Sequence, residues 1–417
     1  MLIAGACPQE RECFQMKLSE LGSATGSRME FEGGMHQPRK IRVAHVDHTV
    51  VSGGAEIALA RLINSEPGWE PYLFVPRGSD RAEMLARANF MDVVETGPQQ
   101  KPGLASAGLR GAFRFSGALA RHALALTLSR RFRSVDIVHA NSTRAALYSV
   151  FAAKLSRKPL VVHLRDAVSS DSLGRIGYRA MTKLVLPAAR GVVANSQYTL
   201  GTAREHVAAG VVARVIPSAV GLPRRAAPTH ERPEVLTIGM VARVAEWKGQ
   251  RLVLEAFARA FQAGSVRLSF VGGTELGGSD YLRTLRSLAD NLGVSSRVDF
   301  LGQVPSGAVE ALIDDLDICV QASIRPEPLG QNVLQYLARA RPTVVADRGG
   351  PVEWIRDGHN GRTFRSGDVE DLARVLKELE PREQREALAR GASQTPLPTL
   401  ESVAAMHQDM YVECMRP

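Results

Sequence analysis

At 417 residues the chain exceeds what a single hydrophobic core usually holds, and a 45% hydrophobic content can supply two α/β domains. The formal charge of +9 favours acidic partners such as phosphorylated ligands or anionic lipid head groups, whereas 6% aromatic residues and the lack of an interleaved basic and aromatic motif weigh against nucleic acid. Cys7, Cys13, Cys319 and Cys414 have no metal-ligand spacing, which leaves a zinc module without support and fits a reducing cytoplasm.

The apolar run at 2–7 is too short for a signal core and follows no basic residue, so no secretory or transmembrane segment is evident. Residues 1–37 show no sustained periodicity and read as a disordered or mis-started extension, with Met29 and Met35 as alternative starts. From Pro38 the pattern alternates. Strands are expected at 41–46, 71–75, 136–140, 160–164 and 191–195, with helical spacing at 55–63 and 145–155, which makes 38–217 a parallel sheet with crossover helices. Residues 218–233, rich in proline, arginine and alanine, suit a linker. The alternation restarts over 234–395, with strands at 235–241, 266–271, 298–301, 318–322 and 343–346 and helices at 251–261 and 280–292. Ligands of open α/β sheets sit beyond the carboxyl ends of strands, so two facing domains of this kind imply a cleft.

Motifs fall at those strand ends. Ser52-Gly53-Gly54-Ala55-Glu56 opens a helix where backbone N–H groups can approach a phosphate, although a plain glycine turn explains it as readily on its own. His163-Leu164-Arg165-Asp166 and Asn195-Ser196-Gln197 end two later strands, and Arg165 and Asp166 can simply pair. Gly239 to Gly249 carries Arg243 and Lys248, a fork and a point charge suited to the growing negative charge of a departing diphosphate. The double glycines of 271–278 lack the dinucleotide register and read as a loop. Asp315-Leu316-Asp317 has a metal-like spacing but runs into a buried strand, so capping explains it and no metal is expected. The arginines at 110, 114, 121, 130, 131 and 133 do not form a clean basic face, yet leave contact with anionic lipid open.

The densest signal follows the strand at 318–322. Glu327-Pro328-Leu329-Gly330-Gln331-Asn332 makes a tight turn into a helix, whose first N–H groups hold an anion by backbone alone. A carboxylate beside an anion pocket suits a ligand bearing both phosphate and sugar hydroxyls, a nucleotide sugar.

With Arg341-Pro342-Thr343-Val344-Val345-Ala346 and Gly349-Gly350-Pro351-Val352-Glu353, this stretch resembles the retaining glycosyltransferases of glycosyltransferase family 4. Their signature is a glutamate, seven residues, a second glutamate, then a strand and a Gly-Gly-x-x-Glu turn. The chain departs from it at Gln335, which can bond ribose hydroxyls but brings no charge. The resemblance implies a GT-B architecture of two Rossmann-like domains, with 396–417 a helical tail returning to the first. It implies metal-independent, retaining transfer of a hexose from a nucleotide-diphosphate sugar to a hydroxyl acceptor. UDP is the more frequent nucleotide over GDP. The acceptor would be a saccharide, a lipid-linked glycan or a natural product, and the place of work the cytoplasm or the inner membrane face.

The same resemblance sets roles. Glu327 bonds the donor sugar, His163 lies by the transferred sugar through its ring or carbonyl, and Arg243 and Lys248 hold the diphosphate. Gly53, Gly54, Gly330, Gln331, Asn332 and Gln335 complete the donor site, and Arg165, Asn195 and Ser196 fall to the acceptor. A GT-B epimerase, or a nucleotide-sugar-binding protein without turnover, are the alternatives.

Overall fold

The computed structural model describes residues 39–48, 53–78, 85, 87–98, 108–227, 235–274 and 278–416. The expectations for 1–37, Cys7, Cys13 and Ser52, for the linker from 228 to 233, and for the loop at 275–277 lie outside the described residues, as do the side chains of Arg110 and Arg114. The chain divides into two compact units, one running to Ala219 and resuming at Pro398, the other spanning Val220–Leu397.

Unit 1 is built on a seven-stranded sheet of order β3-β2-β1-β4-β5-β6-β7, every pairing parallel. Its strands are β1 (Arg42–Val46), β2 (Glu70–Val75), β3 (Asp92–Glu95), β4 (Ile137–Ala140), β5 (Leu160–Leu164), β6 (Gly191–Ala194) and β7 (Val212–Val215). The central strands are near-continuous apolar runs because helices cover both faces of the sheet. Those helices are α1 (Gly54–Asn64), α2 (Gly108–Leu128), α3 (Arg130–Ser134), α4 (Thr143–Leu155), α5 (Ser170–Ala180) and α6 (Gln197–Ala203). Ser142 starts α4 and Ser196 starts α6, each side chain accepting from the backbone N–H three residues on.

Unit 2 repeats the scheme with six parallel strands in the order β10-β9-β8-β11-β12-β13. They are β8 (Thr237–Val241), β9 (Arg267–Val271), β10 (Val298–Gly302), β11 (Ile318–Gln321), β12 (Thr343–Ala346) and β13 (Gly361–Phe364). Around them lie α7 (Gln250–Ala260), α8 (Ser279–Asn291), α9 (Val309–Asp314), α10 (Gln331–Ala338), α11 (Val369–Glu378) and α12 (Arg382–Gln394). Asp317 accepts from the Thr237 N–H at 2.8 Å, so the Asp315-Leu316-Asp317 run ties β11 to the start of β8.

The last helix, α13 (Leu400–Met415), belongs to unit 1. Thr399 caps it reciprocally with Ser402, and its Val403, Met410, Tyr411 and Cys414 join a core layer with Ile63, Trp69, Leu73, Ile137 and Val161.

Candidate functional site

In unit 2 the polar residues gather where β8 and β11 end. Gly249 closes the short turn Glu246–Lys248 at φ +84°, in the left-handed region, and a Cβ there would lie 2.0 Å from the Ala322 carbonyl oxygen. That contact holds the start of α7 against the end of β11, and Ile324 N–H donates to the Trp247 carbonyl at 2.9 Å. The two sequence motifs thereby meet. Lys248 Nζ lies 2.5 Å from Glu327 Oε1, and also 4.3 Å from the centre of the Trp247 ring.

Glu327 receives more than the lysine. Gln321 Nε2 and Ser323 Oγ both donate to its Oε2 at 2.8 Å, and Gln321 also reaches Ser323 at 2.9 Å. Burial pushes the Glu327 carboxyl up, but the Lys248 charge and the bonds from Lys248, Ser323 and Gln321 together outweigh it and hold the pKa below the ordinary glutamate value. Its side chain is mostly buried and keeps 13% exposure. The Gly-Gly turn supports it from behind, with Gly350 N–H donating to the Glu327 carbonyl at 2.8 Å.

Arg243 follows β8, half-buried, and among the described residues its guanidinium pairs with no carboxylate. The buried Gln250 donates to its carbonyl at 2.8 Å, fixing the turn. Gly330 is the left-handed residue before α10, and Gln331 and Gln335 are half-buried on that helix. Asn332 makes contacts within the fold. Its Nδ2 lies 3.3 Å from the Val241 carbonyl and its Oδ1 accepts from Val333 N–H, so it ties α10 to β8 with Tyr336, whose hydroxyl accepts from Val241 N–H at 2.8 Å.

In unit 1 several of the sequence-predicted residues are engaged within the fold. His163 ends β5, but its ring is 3% exposed and faces α13. His139 Nε2 lies 3.1 Å from His163 Nδ1, His139 Nδ1 lies 2.7 Å from the Tyr411 hydroxyl, and His407 Nδ1 donates to the Val403 carbonyl. His45, accepting from Trp69 Nε1 at 3.1 Å, completes the cluster. The ring is thus a core group, because residues 161 and 163 share the strand face beneath α13 while 160, 162 and 164 face the opposite layer. Burial keeps all four histidines neutral, lowering His45 to about 3 and His407 to about 4 and holding His139 and His163 well below their usual value. Ligand atoms of His139, His163 and His407 lie within 4.8 Å of one another; both His139 nitrogens, His163 Nδ1 and His407 Nδ1 are engaged with each other, Tyr411 and Val403, while the buried His163 Nε2 has no hydrogen-bond partner among the described residues.

Ser196 is likewise a cap, accepting from Thr199 N–H at 3.0 Å, and Asn195 is buried at the strand end beside it. The Gly53 N–H donates to its own helix's Glu56 at 2.8 Å, so that amide is already engaged, while Gly54 is exposed. Arg165 donates to Asn141 Oδ1 at 2.6 Å instead of pairing with Asp166, and lies 3.4 Å from Ser218; burial lowers its pKa to about 10. Asn141 in turn donates to Asp47 at 2.5 Å, and Tyr148 donates to the Asp47 carbonyl. The Asp47, Asn141 and Arg165 chain crosses the ends of β1, β4 and β5. Sequence reasoning missed Asp47 and Asn141, as it missed Gln321 and Ser323, although each is a polar residue at the end of an apolar strand.

The family model described as Glycosyltransferase Family 4 matches residues 52–223, and that described as Glycosyl transferases group 1 matches 225–395. The chain is 37% identical over 133 residues to EpsD of Bacillus subtilis (strain 168), covering 32% of this chain and 33% of that protein. It is 33% identical over 149 residues to the lipopolysaccharide core biosynthesis glycosyltransferase LpsE of Rhizobium meliloti (strain 1021), covering 36% and 40%. The matched stretch spans roughly a third to two fifths of those curated relatives. Among solved structures, Anabaena Alr3699/HepE in complex with UDP superposes with a TM-score of 0.74 at 20% identity, over 89% of this chain and 100% of that one, a likeness of fold. Two consecutive family models, the two parallel Rossmann-like sheets and this likeness agree, and the chain belongs to the family 4 type of GT-B glycosyltransferases.

Proposed function

We propose that the protein is a retaining, metal-independent glycosyltransferase that moves a hexose from a nucleotide-diphosphate sugar to a hydroxyl acceptor in glycan synthesis. The observation that carries this reading is the Lys248–Glu327 pair, made by two motifs 79 residues apart and braced by Gln321 and Ser323. UDP is the nucleotide we put forward, a choice supported by the UDP and glucose found with HepE, a protein of the same fold.

In this reading Glu327, kept ionised by Lys248, Gln321 and Ser323, accepts hydroxyl hydrogen bonds from the donor sugar. Lys248 and Arg243 face the diphosphate, with the amide groups at the start of α10. The acceptor oxygen bonds to the anomeric carbon as the bond from that carbon to the phosphate oxygen breaks, both on one face of the sugar. The leaving diphosphate takes the acceptor proton. The two cations stabilise the charge that builds on the diphosphate. Arg165, fixed by Asn141, is the group we assign to the acceptor in unit 1.

Glu327→Ala is expected to lower transfer from UDP-hexose by at least about a thousandfold while far-UV dichroism is unchanged. Unchanged turnover would remove the assignment. Arg243→Ala should weaken UDP affinity about tenfold or more by calorimetry, and equal affinity would free Arg243 of its role.

A further inference from the structure

Positive charge is concentrated in one part of unit 1. Residues 117–190 hold thirteen arginines and lysines against three aspartates, a formal +10, whereas the whole chain carries +9. This stretch supplies the outer part of α2, then α3, α4, α5 and the π-helical turn Met181–Val185 that continues α5. The helices form one layer, with α2 packed on α4 and α4 on the π-helical turn. Their inward residues, Ala123, Leu126, Val150, Ala152, Met181 and Val185, fill the core against the sheet.

The outward side is not a simply solvated face. Leu124, Leu128, Phe151, Leu155, Ile176 and Leu184 are 55%, 63%, 43%, 68%, 64% and 38% exposed, nearly half of the large exposed apolar side chains among the described residues. Each has an exposed cation beside it or within a turn: Arg121 before Leu124, Arg130 after Leu128, Lys154 between Phe151 and Leu155, Arg179 after Ile176, and Lys183 before Leu184. Acidic groups on this layer are few. Asp171 is exposed on α5, and Asp92 from β3 pairs with Arg131 at 2.8 Å.

We propose that this helical face docks on an anionic lipid bilayer, with the leucines, Phe151 and Ile176 entering the head-group layer and the neighbouring lysines and arginines meeting lipid phosphates. Aliphatic side chains alternating with long cationic ones can be satisfied together at such an interface, where stems lie in the apolar zone and charges reach outward. A nucleic acid would use the cations and leave the leucines in water. No helix among the described residues is long and apolar enough to cross a membrane, so the contact is peripheral.

The test is co-sedimentation of the full chain with vesicles of phosphatidylcholine alone or with about a third phosphatidylglycerol, at low and high salt. The expected result is partitioning about tenfold or more stronger on the anionic vesicles, reduced by salt. A triple variant Leu128→Ser, Leu155→Ser, Ile176→Ser and a second, Lys154→Glu, Arg179→Glu, Lys183→Glu, should each lose about tenfold, with unchanged melting and unchanged transfer to a water-soluble acceptor. Equal binding to neutral vesicles, no binding at all, or full binding by the serine variant would overturn the proposal, as would displacement of the protein from vesicles by duplex DNA. Vesicle binding is measured without donor or acceptor, so it fails or succeeds independently of the transfer reaction.

Discussion

A methyl group on Gly349 would lie 2.6 Å from the carbonyl oxygen of Glu327 and 2.7 Å from its nitrogen, at a φ of +88°. The backbone of the carboxylate-bearing residue is therefore laid directly on a glycine. Gly349→Ala is expected to cost about 1–3 kcal/mol in a denaturant titration and to lower transfer with it, because Glu327 cannot keep its place. Gly54, with nothing within 4 Å of its would-be Cβ, is the contrast, and Gly54→Ala should stay within about 0.5 kcal/mol. The same residue scale sets a pH dependence. Glu327 is held below its ordinary pKa by Lys248, Ser323 and Gln321 against burial, so its charge persists as pH falls toward the usual glutamate range. Removing the largest of those favourable influences with Lys248→Met should let burial dominate and raise the carboxyl. The acid limb of kcat/KM is expected to move to higher pH in that variant, and a limb that stays in place would assign it to another group.

At the scale of elements, α13 is held to unit 1 by groups that must remain uncharged. His45, His139, His163 and His407 have folded pKa values depressed by burial, to about 3 for His45 and about 4 for His407, while in the unfolded chain they titrate near 6.5. Below pH 6.5 the unfolded state binds more protons, so their stabilisation is fully present above that value and is lost as pH falls toward 4. Each buried histidine steepens the loss by about 1.4 kcal/mol per pH unit within that window. The melting temperature of unit 1 should drop accordingly, and His407→Leu should flatten the slope by one histidine's share. This cluster also marks where the sequence could not be read. Val161-Val162-His163 lies in a strand buried on both faces, so alternation tells that 161 and 163 share a side but not which layer that side meets. The central strands were legible for the same reason, as unbroken apolar runs. The strands β3, β7 and β13 were not, since Asp92–Glu95, Val212–Val215 and Gly361–Phe364 mix polar and apolar residues at sheet edges, where pairing with one neighbour sets the strand. Glu327 and Lys248 stood out through their motifs, whereas Gln321 and Ser323 gained their part only when the turn folded Glu327 back over the end of β11.

Across the whole molecule, the chain leaves unit 1 at Ala219, builds unit 2, and returns at Pro398 to finish the first core. Unit 1 therefore depends on both ends of the described sequence, and unit 2 on one continuous stretch. Deleting 398–417 would strip Val403, Met410, Tyr411 and Cys414 from the layer that covers Trp69, Leu73 and Val161. Four large apolar groups lost from a core, each worth about 1.5–3 kcal/mol of burial, exceed the stability of an ordinary domain's margin when combined with the exposed layer they leave. Arg243, Lys248 and Glu327, the groups proposed to hold the nucleotide sugar, all lie in unit 2, whose core of Ile238, Phe257, Val320 and Val344 is its own. Calorimetry of the intact protein should resolve two transitions, and saturating UDP, binding the folded unit 2 alone, should raise one of them by the margin set by its affinity. The deletion should abolish the UDP-insensitive transition and leave the UDP-sensitive one within a few degrees of its place. If the deletion instead removes both, the two units melt as one and unit 2 draws stability from beyond its own core.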